Sequence, residues 1–442
     1  MAESFDLLLT GGTVVNQDGA GPRDIGVRGG RIAALGMLAA ADAAERIDCG
    51  GLHILPGVID SQVHFREPGF THKEDLESGS RAAVLGGVTT VFEMPNTDPL
   101  TTGAAALADK LSRARGRMHC DFAFWVGGTR ENVAELGALE RLPGAAGIKV
   151  FMGSSTGDLL VEDDHGVAAI LANTRRRVAF HSEDEFRLRE RLGVRVEGDP
   201  ASHPRWRDVE AAVRSTRRLL GIARRVGARI HVLHISTEEE LDLLVANRDV
   251  ASCEATPHHL TLSSDDYGRL GTLIQMNPPV REVRHRAALW QSLGQGLIDV
   301  LGSDHAPHTL EEKARPYPAS PSGMPGVQTL VPIMLDHVNA GRDTALARQP
   351  EQAQRTGAGQ IDETRQRQAA GYDADFTVVD LKRREVIRNA QAGSRAGWTP
   401  YDGRAVVGWP IGTIVRGRRV MWEGALLAPG GGRPALFAEA LN

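Results

Sequence analysis

Seven polar or ionisable side chains end or closely follow short apolar runs: His64, Asn96, Lys149, His181, His234, Asn277 and Asp304. The pattern predicts that each stands at the C-terminal end of a buried strand. A titratable group there costs desolvation energy unless it meets a metal, a partner or a substrate. One such residue means little, but seven in matching positions predict a shared site on one face of a parallel barrel. Lys149 adds a particular chemistry. It lies in Ala145-Ala146-Gly147-Ile148-Lys149-Val150-Phe151-Met152, in a chain where only five of 51 basic residues are lysine: Lys73, Lys110, Lys149, Lys313 and Lys382. Arginine serves wherever a surface cation suffices, so an amine is expected to be required at position 149. Burial lowers an ammonium pKa and leaves a neutral nucleophile. That amine can form a Schiff base, or take up CO₂ as a carbamate whose oxygens bridge two divalent cations held by His181 and His234. The structural alternative is a lysine that lays its stem on apolar surface and keeps its head in water.

Such a site needs strands that share a direction. Apolar segments predicted as strands span 57–64, 89–94, 121–126, 148–152, 178–181, 229–235, 251–256 and 298–303, separated by helical stretches at βα spacing. Eight of them predict a closed α/β barrel. The segment 207–226 illustrates the helices, with Val209, Val213, Leu219, Leu220, Ala223 and Val226 on one side and arginines on the other. Ser236 with Glu239, and Thr237 with Glu240, each offer the spacing of a helix-capping box. Residues 6–55 read instead as short glycine-broken strands, a small antiparallel β unit, and 374–381 and 412–422 read as strands that complete it. The expected organisation is a β-sandwich domain from 1–55 plus 370–442 and a barrel over 56–342. Between them lies an atypical polar segment, 343–369, that reads as a solvated helix, a loop or a local change of reading frame.

With 442 residues, 41% apolar and 24% charged, the chain can bury a large core, which excludes a disordered tail or a disulfide-stapled miniprotein. The formal charge of −5 carries no long single-sign block, so neither nucleic acid nor an anionic membrane is expected as a partner. Cys49, Cys120 and Cys253 are isolated from one another, which argues against a thiolate zinc site or a disulfide framework. No stretch reaches the roughly 18 apolar residues that span a bilayer. A cytoplasmic protein is expected.

The motifs resemble the cyclic amidohydrolases, and among these the dihydroorotase group most. The resemblance is carried by Pro56-Gly57-Val58-Ile59-Asp60-Ser61-Gln62-Val63-His64-Phe65-Arg66-Glu67-Pro68-Gly69, Glu93-Met94-Pro95-Asn96-Thr97, Gly147-Ile148-Lys149, Phe180-His181-Ser182 and His234-Ile235-Ser236-Thr237. It continues through Thr256-Pro257-His258-His259-Leu260, Met276-Asn277-Pro278-Pro279 and Ser303-Asp304-His305-Ala306-Pro307-His308-Thr309. It covers residues 6 to about 340 and resumes from Ala370.

The resemblance implies a (β/α)₈ TIM barrel with a composite β-sandwich built by both termini, and a centre of one or two zinc ions. In that pattern His181 and His234 bind the more exposed metal, His64 and Asp304 the more buried one, and carbamylated Lys149 both. A zinc-bound hydroxide then opens the cyclic amide of dihydroorotate to N-carbamoyl-aspartate, reversibly, with Asp304 as the proton carrier. Arg66, Asn96 and His308 would receive the substrate carboxylate, and Asn277 with the backbone around Ser322-Gly323-Met324-Pro325-Gly326 would hold the ring. The departure is Gln62, which stands where relatives usually carry the first histidine of a His-x-His pair. A carboxamide oxygen is a much weaker zinc ligand than imidazole, so the buried metal position is expected to be weak or lost. Two alternatives stand beside the dihydroorotase reading. One is an inactive homologue that serves as structural partner of aspartate transcarbamoylase; the other is a hydantoinase- or allantoinase-type hydrolase. A homo-oligomer, dimer or tetramer, is expected.

Overall fold

The computed structural model describes residues 4–16, 19–154, 159–342 and 368–437. Seven short strands open the chain: β1 (Phe5–Thr10), β2 (Thr13–Asn16), β3 (Gly19–Pro22), β4 (Asp24–Arg28), β5 (Arg31–Gly36), β6 (Ala43–Asp48) and β7 (His53–Pro56). Eight parallel strands follow: β8 (Val58–Val63), β9 (Val88–Glu93), β10 (Asp121–Gly127), β11 (Ala145–Phe151), β12 (Val178–His181), β13 (Ile230–Val232), β14 (Ala251–Ala255) and β15 (Val300–Leu301). They pair in chain order from β8 to β15. A bridge between Val63 and His305 brings the two edges together, with the His64 N–H donating to the His305 carbonyl at 2.7 Å. The expected (β/α)₈ barrel is therefore present. Its strands are buried on both faces, which explains why they read as nearly unbroken apolar runs rather than alternating ones.

After the barrel come β16 (Phe376–Val386), β17 (Ala405–Val415), β18 (Arg418–Trp422) and β19 (Ala425–Leu426). They extend a seven-stranded sheet, β19-β18-β17-β16-β7-β2-β3, through the β16–β7 pair. A second, four-stranded sheet runs β5-β4-β1-β6. Leu7, Val14, Ile25 and Ile54 pack with Phe376 and Ile414 in one apolar cluster, so both ends of the chain bury a common core. The N-terminal unit is mixed rather than antiparallel, because β1–β6 and β2–β7 pair in parallel. The polar stretch 343–369, apart from its last two residues, lies outside the described residues.

Helix ends follow local chemistry. The helix Val209–Val226 starts one residue beyond Asp208, whose side chain accepts from the Ala211 N–H, and stops at Gly227, whose φ of 75° suits a residue without Cβ. Arg207 thus lies outside the helix. Of the two capping spacings, Thr237 with Glu240 is the one used. Ser236 instead accepts from Arg281 Nε at 2.9 Å. Cys49, Cys120 and Cys253 are buried free thiols. Among the described residues no helix is long and apolar enough to cross a membrane.

Candidate active site

Eight of the residues singled out from the sequence line one cavity at the C-terminal mouth of the barrel: Gln62, His64, Arg66, Asn96, His181, His234, Asn277 and Asp304. Phe151, Ala306, Ser322 and Gly323 complete its wall. Gly323 holds a φ of 135°, and a Cβ there would lie 2.4 Å from the Ala306 carbonyl oxygen, so this wall requires glycine. Lys149 and His308 are not part of the cavity lining. Asn277 departs from the strand-end pattern: the chain reaches it through several short helical turns after β14. Arg66, His234 and Asp304 hold φ values of 63°, 34° and 46°. Strained backbone of this kind at three cavity residues is a feature of functional sites.

The two imidazoles face each other. His181 Nδ1 lies 3.1 Å from His234 Nε2. On its far side His181 Nε2 meets Glu183 Oε2 at 2.9 Å. Glu183 also accepts from Arg207, at 2.6 Å, and all three side chains are buried. Burial alone would raise the Glu183 carboxyl, but Arg207 and His181 outweigh it and hold it well below the usual carboxylate range. The anion keeps the proton of His181 on Nε2, which leaves the Nδ1 lone pair directed at His234. Burial lowers both histidines, His234 well below its ordinary value, so both rings are neutral donors of electron pairs. Neither Glu183 nor Arg207 was legible beforehand; the only signal was an arginine directly before a helix cap.

Lys149 is 1% exposed, and its Nζ has no hydrogen-bond partner. It sits 4.3 Å from the centroid of the Phe151 ring. Burial pulls its ammonium down to about 7, against the opposing pull of Asp304 and Glu254. A lysine with its head in water is therefore excluded. The scarcity of lysine, however, did not single out this residue. Lys110 and Lys313 are equally buried, the first against Glu93 and the second against the carbonyls of Gln275, Pro321 and Gly323. What distinguishes Lys149 is an amine left without a partner.

Asp304 Oδ1 lies 2.9 Å from Gln62 Nε2 and 3.3 Å from His64 Nε2. Burial lifts its carboxyl to about 7 in spite of Lys149 and His181. His64 Nδ1 meets Asn96 Oδ1 at 2.7 Å, so Asn96 orients a histidine as well as lining the cavity. Arg66 is 2% exposed and bonds the Pro307 carbonyl through Nε at 3.2 Å. Glu67 and Asp75 face Arg117 and Arg395 instead. His308 lies 3.4 Å from Arg66, 3.0 Å from the Ser322 carbonyl and 3.1 Å from Lys73 Nζ, which makes it a brace behind the guanidinium.

Among the described residues no three histidine, cysteine or carboxylate side chains group closely enough to hold a metal by themselves. The donor set nevertheless fits a cation. Two neutral imidazole nitrogens stand 3.1 Å apart, near the roughly 3.3 Å expected of two ligands on a tetrahedral zinc, and a lone buried amine stands in the same electrostatic environment. An unmodified lysine is a poor third ligand; its carbamate is an oxygen ligand. On the Gln62 side the fit is weaker, since the carboxamide oxygen, buried without a hydrogen-bond partner, is a poorer zinc ligand than imidazole.

Residues 53–349 match the Amidohydrolase family. A dihydroorotase of Halobacterium salinarum is 38% identical over 427 residues, 93% of this chain and 96% of that one. An allantoinase of Escherichia coli is 33% identical over 433 residues, 94% of each. The structure of an L-hydantoinase (dihydropyrimidinase) from Arthrobacter aurescens superposes with a TM-score of 0.92 at 30% identity, covering 98% of this chain and 99% of that one.

Proposed function

We propose, from the premise that this chain belongs to the amidohydrolase family and is an enzyme acting on cyclic amides, that its substrate is dihydroorotate, opened reversibly to N-carbamoyl-aspartate. The observation that carries the choice is Arg66. Its guanidinium is buried on the cavity wall, and among the described residues no carboxylate lies within ion-pair distance of it. Burial pulls this guanidinium down to about 10 although Asp304, Glu93, Glu312 and Glu74 act on it from beyond contact distance, and a substrate carboxylate bound through two parallel N–H···O bonds would supply the direct partner it lacks.

In this reading His181, His234 and carbamylated Lys149 hold a zinc ion, and His64 with Asp304 face a second, weaker position beside Gln62. The metal's contribution when bound is to polarise the ring carbonyl and to make water nucleophilic at neutral pH. The remaining work falls to side chains. Arg66 anchors the carboxylate and so fixes which carbonyl faces Asp304. Asn277, whose Oδ1 is taken by His203 at 3.0 Å, keeps its amide N–H groups for a ring oxygen. Asp304, poised near 7, accepts the proton of the attacking water and delivers it to the ring nitrogen as the C–N bond breaks. Water's oxygen ends on the carbonyl carbon and its proton on the nitrogen. Ring closure runs the same transfers in reverse.

The L-hydantoinase and allantoinase similarities support a second reading, a hydrolase of uncarboxylated rings. Turnover of dihydroorotate, hydantoin and allantoin by the zinc- and bicarbonate-loaded protein separates the two. The dihydroorotase reading expects dihydroorotate to be preferred by at least about 100-fold in kcat/KM. A preference for either uncarboxylated ring replaces it with the second. Failure on all three, with no zinc retained and aspartate transcarbamoylase co-purifying, replaces both with a structural role.

A further inference from the structure

The opposite end of the barrel carries a second concentration of charge. Segments leading into β11, β12, β13 and β14 surround an open basin lined by Arg141, Arg175, Arg176, Arg224 and Arg229. Asp249 is the one acidic side chain in that lining, and it is already paired with Arg224 at 2.8 Å. The nearest further carboxylate in sequence, Glu140, is buried and accepts from the backbone N–H groups of Arg175 at 2.8 Å and Arg176 at 3.1 Å. Among the described residues neither Arg141 nor Arg175 has a carboxylate within ion-pair distance, and both are exposed. Behind them, burial and then the neighbouring Arg229 pull the Arg177 guanidinium down to about 10.

A chain of net charge −5 thus gathers four exposed guanidinium groups, of which Arg224 is paired with Asp249, while the fifth, Arg176, is buried and donates to the carbonyls of Glu140 and Ala145. Helix C-termini at Ala172 and Val226 favour cations nearby. That effect amounts to roughly one cation per helix end. It does not call for four exposed side chains meeting from separate segments at one hollow.

We propose that this basin binds a small polyanion built on a phosphate chain. Guanidinium forks match phosphate oxygens two at a time, and several forks match several charges on one ligand. A lone carboxylate needs only one fork, as at Arg66. The proposal is independent of the substrate assigned to the barrel mouth.

Isothermal titration of the metal-loaded enzyme with sodium triphosphate tests it, with a nucleoside triphosphate, citrate and a short single-stranded DNA as parallel titrants. Saturable binding of triphosphate is expected, weakening as salt rises. The Arg141→Ser, Arg175→Ser double variant should bind at least about tenfold more weakly. Its thermal midpoint and ring-opening rate should match the parent, since among the described residues neither side chain has a hydrogen bond or ion pair to lose. Tighter binding of the nucleoside triphosphate would identify a nucleotide as the source of the phosphate chain; equal binding would leave the chain alone as the determinant. Absence of saturable triphosphate binding, or equal affinity in the double variant, overturns the proposal. Binding of citrate or DNA with triphosphate inert overturns it as well.

Discussion

Gln62 donates from its carboxamide nitrogen to Oδ1 of Asp304 at 2.9 Å, while its own Oε1 is buried without a partner. The reverse orientation would set an amide oxygen against a carboxylate oxygen. The residue at this position therefore steadies the proposed proton carrier through its amide N–H. Gln62→His is expected to raise the metal content per chain, because imidazole restores a strong nitrogen ligand. Atomic emission on dialysed protein measures this. An unchanged content would mean that the pocket, and not this ligand, sets occupancy. Gln62→Leu removes the donor and should lower kcat by about tenfold, the worth of one hydrogen bond to a charged group.

Lys149 must be neutral to add to CO₂, and its amine titrates at about 7. The sign is that of a depressed base: roughly one-tenth is neutral at pH 6 and roughly nine-tenths at pH 8. ¹³C-bicarbonate added to metal-free protein should therefore give a carbamate resonance several-fold stronger at pH 8. Lys149→Ala should lack the resonance and the activity, with short-chain carboxylates partly restoring the latter. Full activity in that variant would dispose of the bridging role.

Glu183→Gln should reduce zinc affinity by about 10–100-fold, because His181 loses the anion that keeps its proton on Nε2. It also leaves the Arg207 guanidinium buried without its carboxylate, which costs about 3–5 kcal/mol. A second change separates the two effects. Glu183→Gln with Arg207→Met should recover the thermal midpoint and not the affinity. Recovery of both would make the pair purely structural.

The barrel and most of its mouth were legible because strand burial and strand order are local and repetitive. Apolar runs at βα spacing mark the strands, and each polar residue at a run's end marks the same face. What escaped depends on contacts across the chain. Arg207 reads as one more arginine at the start of an arginine-rich helix, yet it turns inward to a carboxylate 24 residues earlier. Asn277 reads as a strand end, yet helical turns carry it to the cavity. Lys149 looked special for being a lysine among arginines, yet Lys110 and Lys313 share that trait and are satisfied by partners; the amine's isolation exists only in three dimensions. His308, expected to receive the substrate carboxylate, also contacts Arg66, the Ser322 carbonyl and Lys73, contacts that no local sequence pattern reports.

Arg66→Lys tests the substrate assignment at the link between one cation and one carboxylate. Lysine keeps the charge and loses the planar fork, so it can donate to one carboxylate oxygen but not hold both in a fixed plane. A ring anchored at one point can rotate, and its carbonyl then spends less time facing Asp304. For dihydroorotate, kcat/KM should fall by about 100-fold, some 2.7 kcal/mol, with KM carrying part of the loss. Hydantoin has no carboxylate to lose, so its slow turnover should change by less than about threefold. The contrast between the two substrates is the informative quantity. A similar fall for both would make Arg66 a support for the cavity wall through Pro307 and His308, and would remove the observation on which the choice of a carboxylated ring rests.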